Sequence, residues 1–476
     1  MPGAVAVRDV ARGCGNIWGM SDSEPHLSAR DLAPLLGSWR TADATLGIAL
    51  ATAIAHLIES EKLSSGVRLP AQRALAAELE VARGTVTTAY EILAGGGYVT
   101  AEVGRGSRIG STSRRRLRPS AGLGHGSAPV AIDLSTQSLP SSAALEAVLG
   151  HVNRTSLRPY LATDGHTPYG LPVLRSAVAR HLTEAGTPTG ADQILVTAGA
   201  QQALWLTVFV MAERGATVMV EDPTYRGILA VLSTVDKDLR IDSFPADSAD
   251  VRVGPRSRGS LLYLQSSVHS PTGLVRSNEM LRAVADVANR YDLTIVEDRS
   301  AADLIYDPLR HNTGLAQYVD PERLITVGTM SKLFWGGLRV GWVRGDRNTL
   351  ARLADTKQTI DVTTSVVDQF LAAEALENAA MAAVDRRRLL VEHLDRTMRI
   401  VEDVCPRWDL VTPEGGSGVW IDTHVDAIEY AMKAQSRGIR IADGPSFSSG
   451  HGFETHIRLP VWTAADALTH ALHTVM

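Results

Sequence analysis

The feature that most constrains the fold is an alternation of apolar, strand-like runs with helical segments, from about residue 132 to the end of the chain. The clearest runs lie at 193–197, 217–220, 260–264, 294–297 and 324–327. Near-continuous apolar strands separated by helices are typical of a parallel sheet with helices on both faces. The sequence therefore predicts an α/β fold for most of the chain.

One segment inside this pattern, residues 328–341, combines groups with distinct chemistry. Its lysine, Lys332, lies close to Thr329 and Ser331, and Arg339 follows seven positions later. A lysine amine can condense with an aldehyde, and a nearby arginine can hold a phosphate. Pyridoxal 5′-phosphate carries both groups on one ring. The segment therefore predicts a pyridoxal phosphate site in which Lys332 is the covalent anchor.

Composition indicates a soluble protein with more than one domain. Of the 476 residues, 45% are hydrophobic and 21% charged, and a chain of this length favours about two or three domains. Cys14 and Cys405 match no metal-ligand spacing and argue against a disulfide framework. Neither a signal-peptide core nor a run of membrane-spanning length is visible, so we expect a cytoplasmic protein. Either Met1 or Met20 could be the true start.

The chain divides into units of different composition. Residues 1–29 form an N-terminal extension for which we expect disorder, and residues 30–110 form the first folded unit. Residues 111–130 are rich in Arg, Ser and Gly, which predicts a flexible linker. The long α/β unit covers 131–476, with a smaller C-terminal subdomain from about 375 to 476.

The first unit has the pattern of a helix-turn-helix followed by a hairpin. Helical periodicity is visible at 45–58, 69–79 and 83–93, and only residues 80–82 separate the last two segments. Two short helices joined by so brief a turn indicate a helix-turn-helix, and the alternation over 98–109 predicts a β-hairpin wing. Residues 30–110 contain eight Lys and Arg against eight Asp and Glu. The helix spacing, rather than net charge, therefore indicates DNA binding.

This unit resembles the winged helix-turn-helix domain of GntR-type bacterial regulators, on motifs that include Arg68-Leu69-Pro70 and Gly104-Arg105-Gly106. The resemblance implies that the recognition helix begins at Arg83, so that Arg83, Thr85 and Thr87 face the major groove of double-stranded DNA. It also implies that Arg73 contacts the DNA backbone or a base edge, and that Arg105 lies at the wing tip near the minor groove. Arginine suits guanine recognition, and threonine can contact phosphate or the thymine methyl group.

The long unit resembles the fold type I aminotransferases over almost its whole length. The segment containing Gly199, Ala200 and Gln201 follows a strand and opens a helix, so its N–H groups can receive a phosphate. The resemblance implies that Tyr225 stacks on the pyridine ring and that Asp298 keeps the pyridine nitrogen protonated.

The same resemblance implies roles for residues further along the chain. Lys332 would form the Schiff base with pyridoxal phosphate, Thr329 and Ser331 would belong to its binding site, and Arg339 would bind its phosphate. Arg458 matches the arginine that pairs with the α-carboxylate of the ligand.

Three positions depart from the family pattern. Ser300 and Ser270 replace a tyrosine and an asparagine that commonly hydrogen-bond the phenolic oxygen of the cofactor and lower the pKa of its imine. His166 replaces a tyrosine that many relatives contribute to the phosphate site of the partner subunit. We therefore expect the cofactor to bind, no net turnover, and at most residual transamination or transimination chemistry.

The two units in this order resemble the MocR-type (PdxR-like) subfamily of GntR regulators. The resemblance implies a homodimeric transcription regulator that senses pyridoxal phosphate, or an amino compound such as an ω-amino acid, through Lys332. Two alternatives stay open. The protein could be an active aminotransferase with a DNA-binding appendage, or a repressor whose long domain only dimerises. The sequence does not identify the operator, the effector or the direction of control.

Overall fold

The computed structural model describes residues 26–40, 45–59, 62–64, 66–95, 98–102, 106–109, 130–248, 251, 259–310, 312–450 and 452–476. Its helices, numbered α1 to α15 in chain order, are Ala29–Leu35, Leu46–Glu59, Gln72–Glu78, Arg83–Gly95, Ala143–His151, Arg154–Leu161, Pro172–Glu184, Ala200–Met211, Arg226–Thr234, Asn278–Tyr291, Arg347–Asp361, Val366–Leu376, Ala379–Val404, Ala427–Ser436 and Ala465–Val475.

The strands of the same regions are numbered β1 to β14. They are Val99–Glu102, Gly106–Ile109, Ile132–Leu134, Ile194–Thr197, Thr217–Asp222, Arg240–Pro245, Leu261–Gln265, Thr294–Asp298, Leu324–Thr329, Gly341–Arg344, Asp409–Leu410, Gly418–Asp422, Ile439–Asp443 and His456–Pro460. None of the described helices is both long and apolar enough to cross a membrane.

The N-terminal unit, here called the head, consists of α1 to α4 and the β1–β2 hairpin. Its core includes fully buried Leu50, Ile54, Leu75 and Leu93. Strands β1 and β2 pair antiparallel, with Val99 opposite Ile109. This arrangement confirms the predicted winged helix-turn-helix.

The head begins before residue 30. His26 forms a β-bridge with Arg68, and the Ser28 hydroxyl caps α1 by accepting from the Asp31 N–H at 3.2 Å. Residues 26–29 therefore belong to the head rather than to the predicted extension. The rest of the extension, including Met1 and Met20, lies outside the described residues, as do Arg105 and 111–129 of the predicted linker.

The large sheet has seven strands in the order β4-β10-β9-β8-β7-β5-β6. Only β10 runs antiparallel to its neighbours, β4 and β9; the other pairs are parallel. Every residue of β4, β7 and β9 is buried, as expected for strands covered on both faces. The predicted, mostly parallel α/β fold is confirmed. Because parallel strands end at one edge, Asp222, Asp298 and Thr329 are brought to the same side of the sheet.

A smaller sheet, in the order β11-β12-β14-β13-β3, forms the second subdomain. Its strand β3 comes from residues 132–134 and pairs parallel with β13. Leu134 and Leu139 lie in the same apolar core as Ile441 and Leu459. The small subdomain therefore also includes chain from the start of the long unit, which the boundary predicted near residue 375 omitted. A strand as short as β3 gives too little periodicity to be recognised.

The head packs on this small subdomain through α2 and α14. Ile428 and Met432 of α14 are buried in the core that α2 shares with the rest of the head. Beside them, His56 Nε2 lies 3.1 Å from Asp426 Oδ2. Asp426 also caps α14 by accepting from the Glu429 N–H at 2.8 Å. The head and the α/β unit thus share a packed interface.

Candidate cofactor site and nucleic-acid interface

Lys332 lies in the turn that follows β9. Its Nζ donates to the carbonyl oxygen of Gln137 at 3.2 Å. Burial, together with the positive charge of Arg458, lowers the pKa of Lys332 to about 8, while the charge of Asp298 opposes this shift. A lysine with a lowered pKa has more of its amine in the neutral form, which is the form that attacks an aldehyde.

Asp298 is the last residue of β8 and is only 5% exposed. Its Oδ2 accepts from the Tyr263 hydroxyl at 3.0 Å, and its Oδ1 accepts from the Ser300 N–H at 2.8 Å. Burial raises the pKa of Asp298, against the hydrogen bonds that it accepts and the charge of Lys332. The carboxylate is fixed in orientation and can pair with a cationic ring nitrogen.

The segment before α8 has the features of a phosphate loop. Gly199 adopts a φ of +91°, and a Cβ there would lie 3.1 Å from Arg339 Nη2, so glycine is required. Arg339 donates from the same atom to the Ala198 carbonyl at 2.9 Å. The first N–H groups of a helix have no intrahelical acceptor, and Ala200 and Gln201 begin α8. Helix N–H groups and a guanidinium together suit a phosphate.

Thr329 and Ser331 form a hydroxyl pair beside this loop. Their oxygens lie 3.0 Å apart, and Thr329 Oγ1 also lies 3.1 Å from the Val340 carbonyl. The Ser331 N–H donates to Thr329 Oγ1 at 3.2 Å. These contacts hold the turn that presents Lys332.

Tyr225 follows β5 and precedes α9. Its hydroxyl lies 3.3 Å from Gln201 Oε1, and Gln201 Nε2 donates to the Gly227 carbonyl at 2.9 Å. A Cβ on Gly227 would lie 2.2 Å from the Tyr225 ring, so a small residue is needed there. Burial raises the pKa of Tyr225, and the negative charge of Asp298 raises it further. The phenol is therefore neutral and held in place.

Arg458 lies in β14 and is only 3% exposed. It donates from Nη2 to the Ser135 carbonyl at 2.6 Å, and its guanidinium lies 4.7 Å from the centre of the Phe447 ring. Burial and the charge of Arg226 lower the pKa of Arg458 well below its ordinary value. In the described part of the chain its Nε has no hydrogen-bond partner. A carboxylate ligand would satisfy this donor.

Several contributors to the site were missed from the sequence. The Ser135 carbonyl accepts a hydrogen bond from Arg458, and the Gln137 carbonyl accepts one from Lys332. Because a backbone acceptor does not depend on its side chain, such a contact leaves no sequence motif. Arg226 donates to the same Ser135 carbonyl at 2.8 Å and lies 5.0 Å from the Phe447 ring. An arginine in the otherwise apolar first turns of α9 was the available signal.

Two of the positions that depart from the family pattern, Ser270 and His166, have different surroundings. Ser270 is bonded through its backbone to the Gln265 side chain, at 3.0 Å for both its N–H and its carbonyl. Its buried hydroxyl finds no hydrogen-bond partner within the described ranges. The side chain of His166 is 63% exposed, with Nδ1 3.8 Å from Asp164 Oδ2.

These residues fit pyridoxal phosphate. The Gly199 loop and Arg339 suit its phosphate, Asp298 its ring nitrogen and Lys332 its aldehyde. The Ser270 hydroxyl oxygen and Arg458 Nε, which have no hydrogen-bond partner among the described residues, offer further polar contacts. When bound, the cofactor supplies an electron-withdrawing ring that this chain does not itself possess.

In the head, Arg73 and Arg83 are exposed and Thr85 is half-buried. The Thr87 hydroxyl contacts Gln72 Oε1 at 3.0 Å and the Arg83 carbonyl at 3.1 Å. Thr87 therefore helps to join α3 to α4. The two arginines lie at the N-terminal ends of the two helices that form the helix-turn-helix.

Fold and site together define a protein in which a fold type I, pyridoxal phosphate-binding domain follows a winged helix-turn-helix. Residues 135–475, well over half of the chain, match the family model of aminotransferase class I and II, and the chain belongs to this family. Its cofactor is accordingly pyridoxal 5′-phosphate. Residues 48–109 match the model of bacterial regulatory proteins of the gntR family. This pair of domains is the arrangement of MocR-type GntR regulators.

The chain is also similar to individual proteins along most of its length. It is 27% identical to the HTH-type transcriptional regulator YdfD of Bacillus subtilis, covering 85% of this chain and 91% of YdfD. It is equally 27% identical to YisV of the same organism, another HTH-type transcriptional regulator, over 75% of this chain and 80% of YisV.

A solved structure shows the same fold. It is that of LysN, an α-aminoadipate aminotransferase from Thermus thermophilus complexed with N-(5′-phosphopyridoxyl)-L-leucine. The TM-score is 0.63 at 21% identity, covering 77% of this chain and 95% of LysN.

Proposed function

We propose that this protein is a transcription regulator that binds operator DNA through its head and pyridoxal phosphate at Lys332. Its aminotransferase-like domain senses pyridoxal phosphate itself or a small amino compound. The observation that carries the proposal is the packing of the winged helix-turn-helix on the subdomain that contains Arg458. The site therefore has a physical connection to the DNA-binding unit.

Each side chain of the site has a role that its surroundings support. Lys332 supplies the amine for the covalent link, and the lowered pKa of this lysine favours the link at neutral pH. Asp298 holds the ring nitrogen in its protonated form. Tyr225 supports the ring, and Arg339 with the Gly199 loop binds the phosphate. Arg458 receives the carboxylate of an amino compound.

DNA binding is proposed for Arg73, Arg83, Thr85, Thr87 and Arg105. Exposure of the Arg73 and Arg83 side chains supports contact with phosphates and base edges. Thr87 contributes mainly through its position in α4, because its hydroxyl already contacts Gln72. Arg105 stays a prediction from the resemblance.

A route for sensing follows from the small subdomain. Helix α14, which contacts the head, leads directly into β13, and β13 pairs with β14 with Ala442 opposite Arg458. A carboxylate that binds Arg458 therefore acts on the same sheet whose helix holds the head. The ligand changes DNA binding only if it binds two arrangements of these parts with different affinity.

A homodimer is part of the proposal. A mostly apolar groove of about 400 Å³ is lined by Trp205, Ala230, Val231 and Ile360, together with Gln201, Gln202 and Thr234. Phe209, which stacks on Trp205, is 38% exposed. Exposed apolar surface of this kind is typical of a protein interface. A second copy covering it would hide these side chains from water.

Two measurements test the proposal. The purified protein should show visible absorbance from bound cofactor, and Lys332→Ala should lose the covalently held cofactor while its apoprotein unfolds at the same temperature as the wild-type apoprotein. Arg83→Ala should weaken binding to the DNA upstream of its own gene, with Arg352→Ala, on the surface of α11, as the matched control. A colourless wild-type protein, or unchanged DNA binding by the Arg83 variant, would sink the corresponding half of the proposal.

A second candidate function is aminotransferase activity. It is favoured by the presence of Lys332, Asp298, Arg339 and Arg458 in one site, which a protein that only dimerised would not need. Sustained product formation, many equivalents per site with a panel of amino donors and oxo acids, would establish it. Product limited to about one equivalent would favour the sensor.

A further inference from the structure

A row of polar contacts connects α11 to the backbone of the phosphate loop. The N–H of Ala198, next to Gly199, donates to Gln202 Oε1 at 2.7 Å. Gln202 Nε2 donates in turn to Asp361 Oδ2 at 3.0 Å. The other carboxylate oxygen of Asp361 accepts a hydrogen bond from Lys357 Nζ at 2.8 Å. The row therefore links a lysine of α11 to the backbone of the loop before α8.

Asp361 decides which way the Gln202 amide points. A carboxylate only accepts hydrogen bonds, so the amide must turn its NH₂ toward Asp361 and its oxygen toward Ala198. A flipped amide would place two donors against each other at Ala198 and two acceptors against each other at Asp361. The orientation of one peptide N–H in the phosphate loop is thus set from α11.

Lys357 pairs with this carboxylate and holds it in place. The lysine side chain is 1% exposed and that of Asp361 is 24% exposed. A buried ammonium is costly unless it is paired, so Lys357 holds Asp361 strongly in this rotamer. Val362, the next residue, has a φ of +53°, which is unfavourable for a β-branched side chain. The Thr363 hydroxyl then contacts the Thr167 carbonyl at 3.0 Å, which holds the strained end of the helix.

Both backbone polar groups of Ala198 are thereby hydrogen-bonded. Arg339 binds the carbonyl of Ala198 at 2.9 Å, and Gln202 binds the N–H of the same residue at 2.7 Å. With both groups of Ala198 occupied, the N–H groups at the start of α8 are left to receive a phosphate. Arg339 holds the loop through the Ala198 carbonyl, whereas Gln202, with Asp361 and Lys357, holds it through the Ala198 N–H.

We infer that Gln202, Asp361 and Lys357 are positioning residues for the phosphate group of the cofactor. They do not touch the cofactor and act through the backbone at Ala198. The inference rests on the proposed function, since it requires pyridoxal phosphate in this site. It predicts that losing the row weakens binding of the phosphate end and leaves the aldehyde end unaffected.

The test compares pyridoxal phosphate with pyridoxal, which lacks the phosphate but keeps the aldehyde for Lys332. For Gln202→Leu and for Asp361→Asn we expect a Kd for pyridoxal phosphate that is roughly ten-fold higher, as for the loss of one or two hydrogen bonds. The Kd for pyridoxal should stay within about two-fold of the wild-type value, since hydrogen-bond losses elsewhere leave the Lys332 link intact. Thr359→Ala is the matched control, because this residue of α11 is exposed and its hydroxyl donates to the Thr356 carbonyl within the same helix.

The possible results distinguish failure of the proposed function from failure of the positioning role. If wild-type protein binds neither compound, the proposed function fails. If wild-type protein binds pyridoxal phosphate and both variants bind it equally well, the positioning role is wrong. An equal loss of affinity for both compounds indicates general damage to the site and also overturns the inference. If Gln202→Leu does not fold, Asp361→Asn still decides, because it retains the size of the side chain.

Discussion

His56 Nε2 lies 3.1 Å from Asp426 Oδ2 and joins the DNA-binding head to the N-terminus of α14 in the small subdomain. Burial alone would raise the pKa of Asp426, but the hydrogen bond and charge of His56, with backbone N–H donors, lower it overall. A lowered carboxylate pKa contributes stability above about pH 4, the ordinary value for aspartate, and that contribution is lost as the pH falls. At neutral pH the Asp426 carboxylate is therefore ionised and can accept from His56.

This pair is expected to contribute less to docking than its apolar neighbours. The side chains of His56 and Asp426 are 50% and 30% exposed, so water screens the pair and it contributes at most about 1 kcal/mol. Ile428 and Met432 are 6% and 4% exposed, and removing such side chains costs about 2–5 kcal/mol. Met432→Ser should therefore increase hydrogen exchange in α2 and α14 more than His56→Gln does. The reverse order would show that charge, rather than apolar packing, holds the head.

The pH dependence of cofactor binding should report the lowered pKa of Lys332. Only the neutral amine attacks an aldehyde, so the rate at which apoprotein binds pyridoxal phosphate should rise with pH and level off above about 8. An unperturbed lysine would give a rise that continues to about pH 10.4. Stopped-flow absorbance measures this rate.

A variant tests the cause of that shift. Arg458→Met removes a positive charge that lowers the pKa of Lys332, so the midpoint of the rate profile should move to higher pH. Arg310→Met, a surface change at a salt bridge with Glu414, is the control and should leave the midpoint in place. A midpoint that does not respond to Arg458→Met would mean that burial alone lowers the pKa.

Arg458 should distinguish amino acids from amines. Its Nε has no hydrogen-bond partner in the part of the chain that the structure describes and can donate to a carboxylate. Arg458→Ala should therefore raise the Kd for an amino-acid effector about 10- to 100-fold. The decarboxylated amine of the same compound should bind the variant and the wild type alike. Isothermal titration of cofactor-loaded protein gives both values, and equal losses for the two ligands would contradict this role.

The serines at 270 and 300 should govern the protonation of the Lys332–cofactor link. Ser270→Asn combined with Ser300→Tyr would add hydrogen-bond donors where relatives of this fold have them. Because such donors favour the deprotonated link, the pH midpoint of the visible absorbance should fall by about one unit. The conservative Ser270→Thr change is the control. An unchanged midpoint in the double variant would place these residues away from the phenolic oxygen.

Much of the fold could be read from local patterns. The apolar runs near 194, 217, 261, 294 and 324 became strands of the large sheet, because a strand buried on both faces must be apolar along its length. The helix-turn-helix was recognisable from two helical periods separated by a three-residue turn. The strand β3 and its place beside β13 were not recognisable, since pairing between residues 132–134 and 439–441 depends on the path of the whole chain.

The candidate site was likewise predictable only in part. By itself the sequence determined which chemical groups the chain possesses: an amine at Lys332, a carboxylate at Asp298 and guanidinium groups at Arg339 and Arg458. Only the tertiary structure decided what each group contacts, including the Gln137 carbonyl at Lys332 and the row from Lys357 to Ala198. The physical reason is distance along the chain. Contacts between residues far apart in sequence leave no local period, and burial, which sets the pKa of Lys332, arises only when the chain has folded around it.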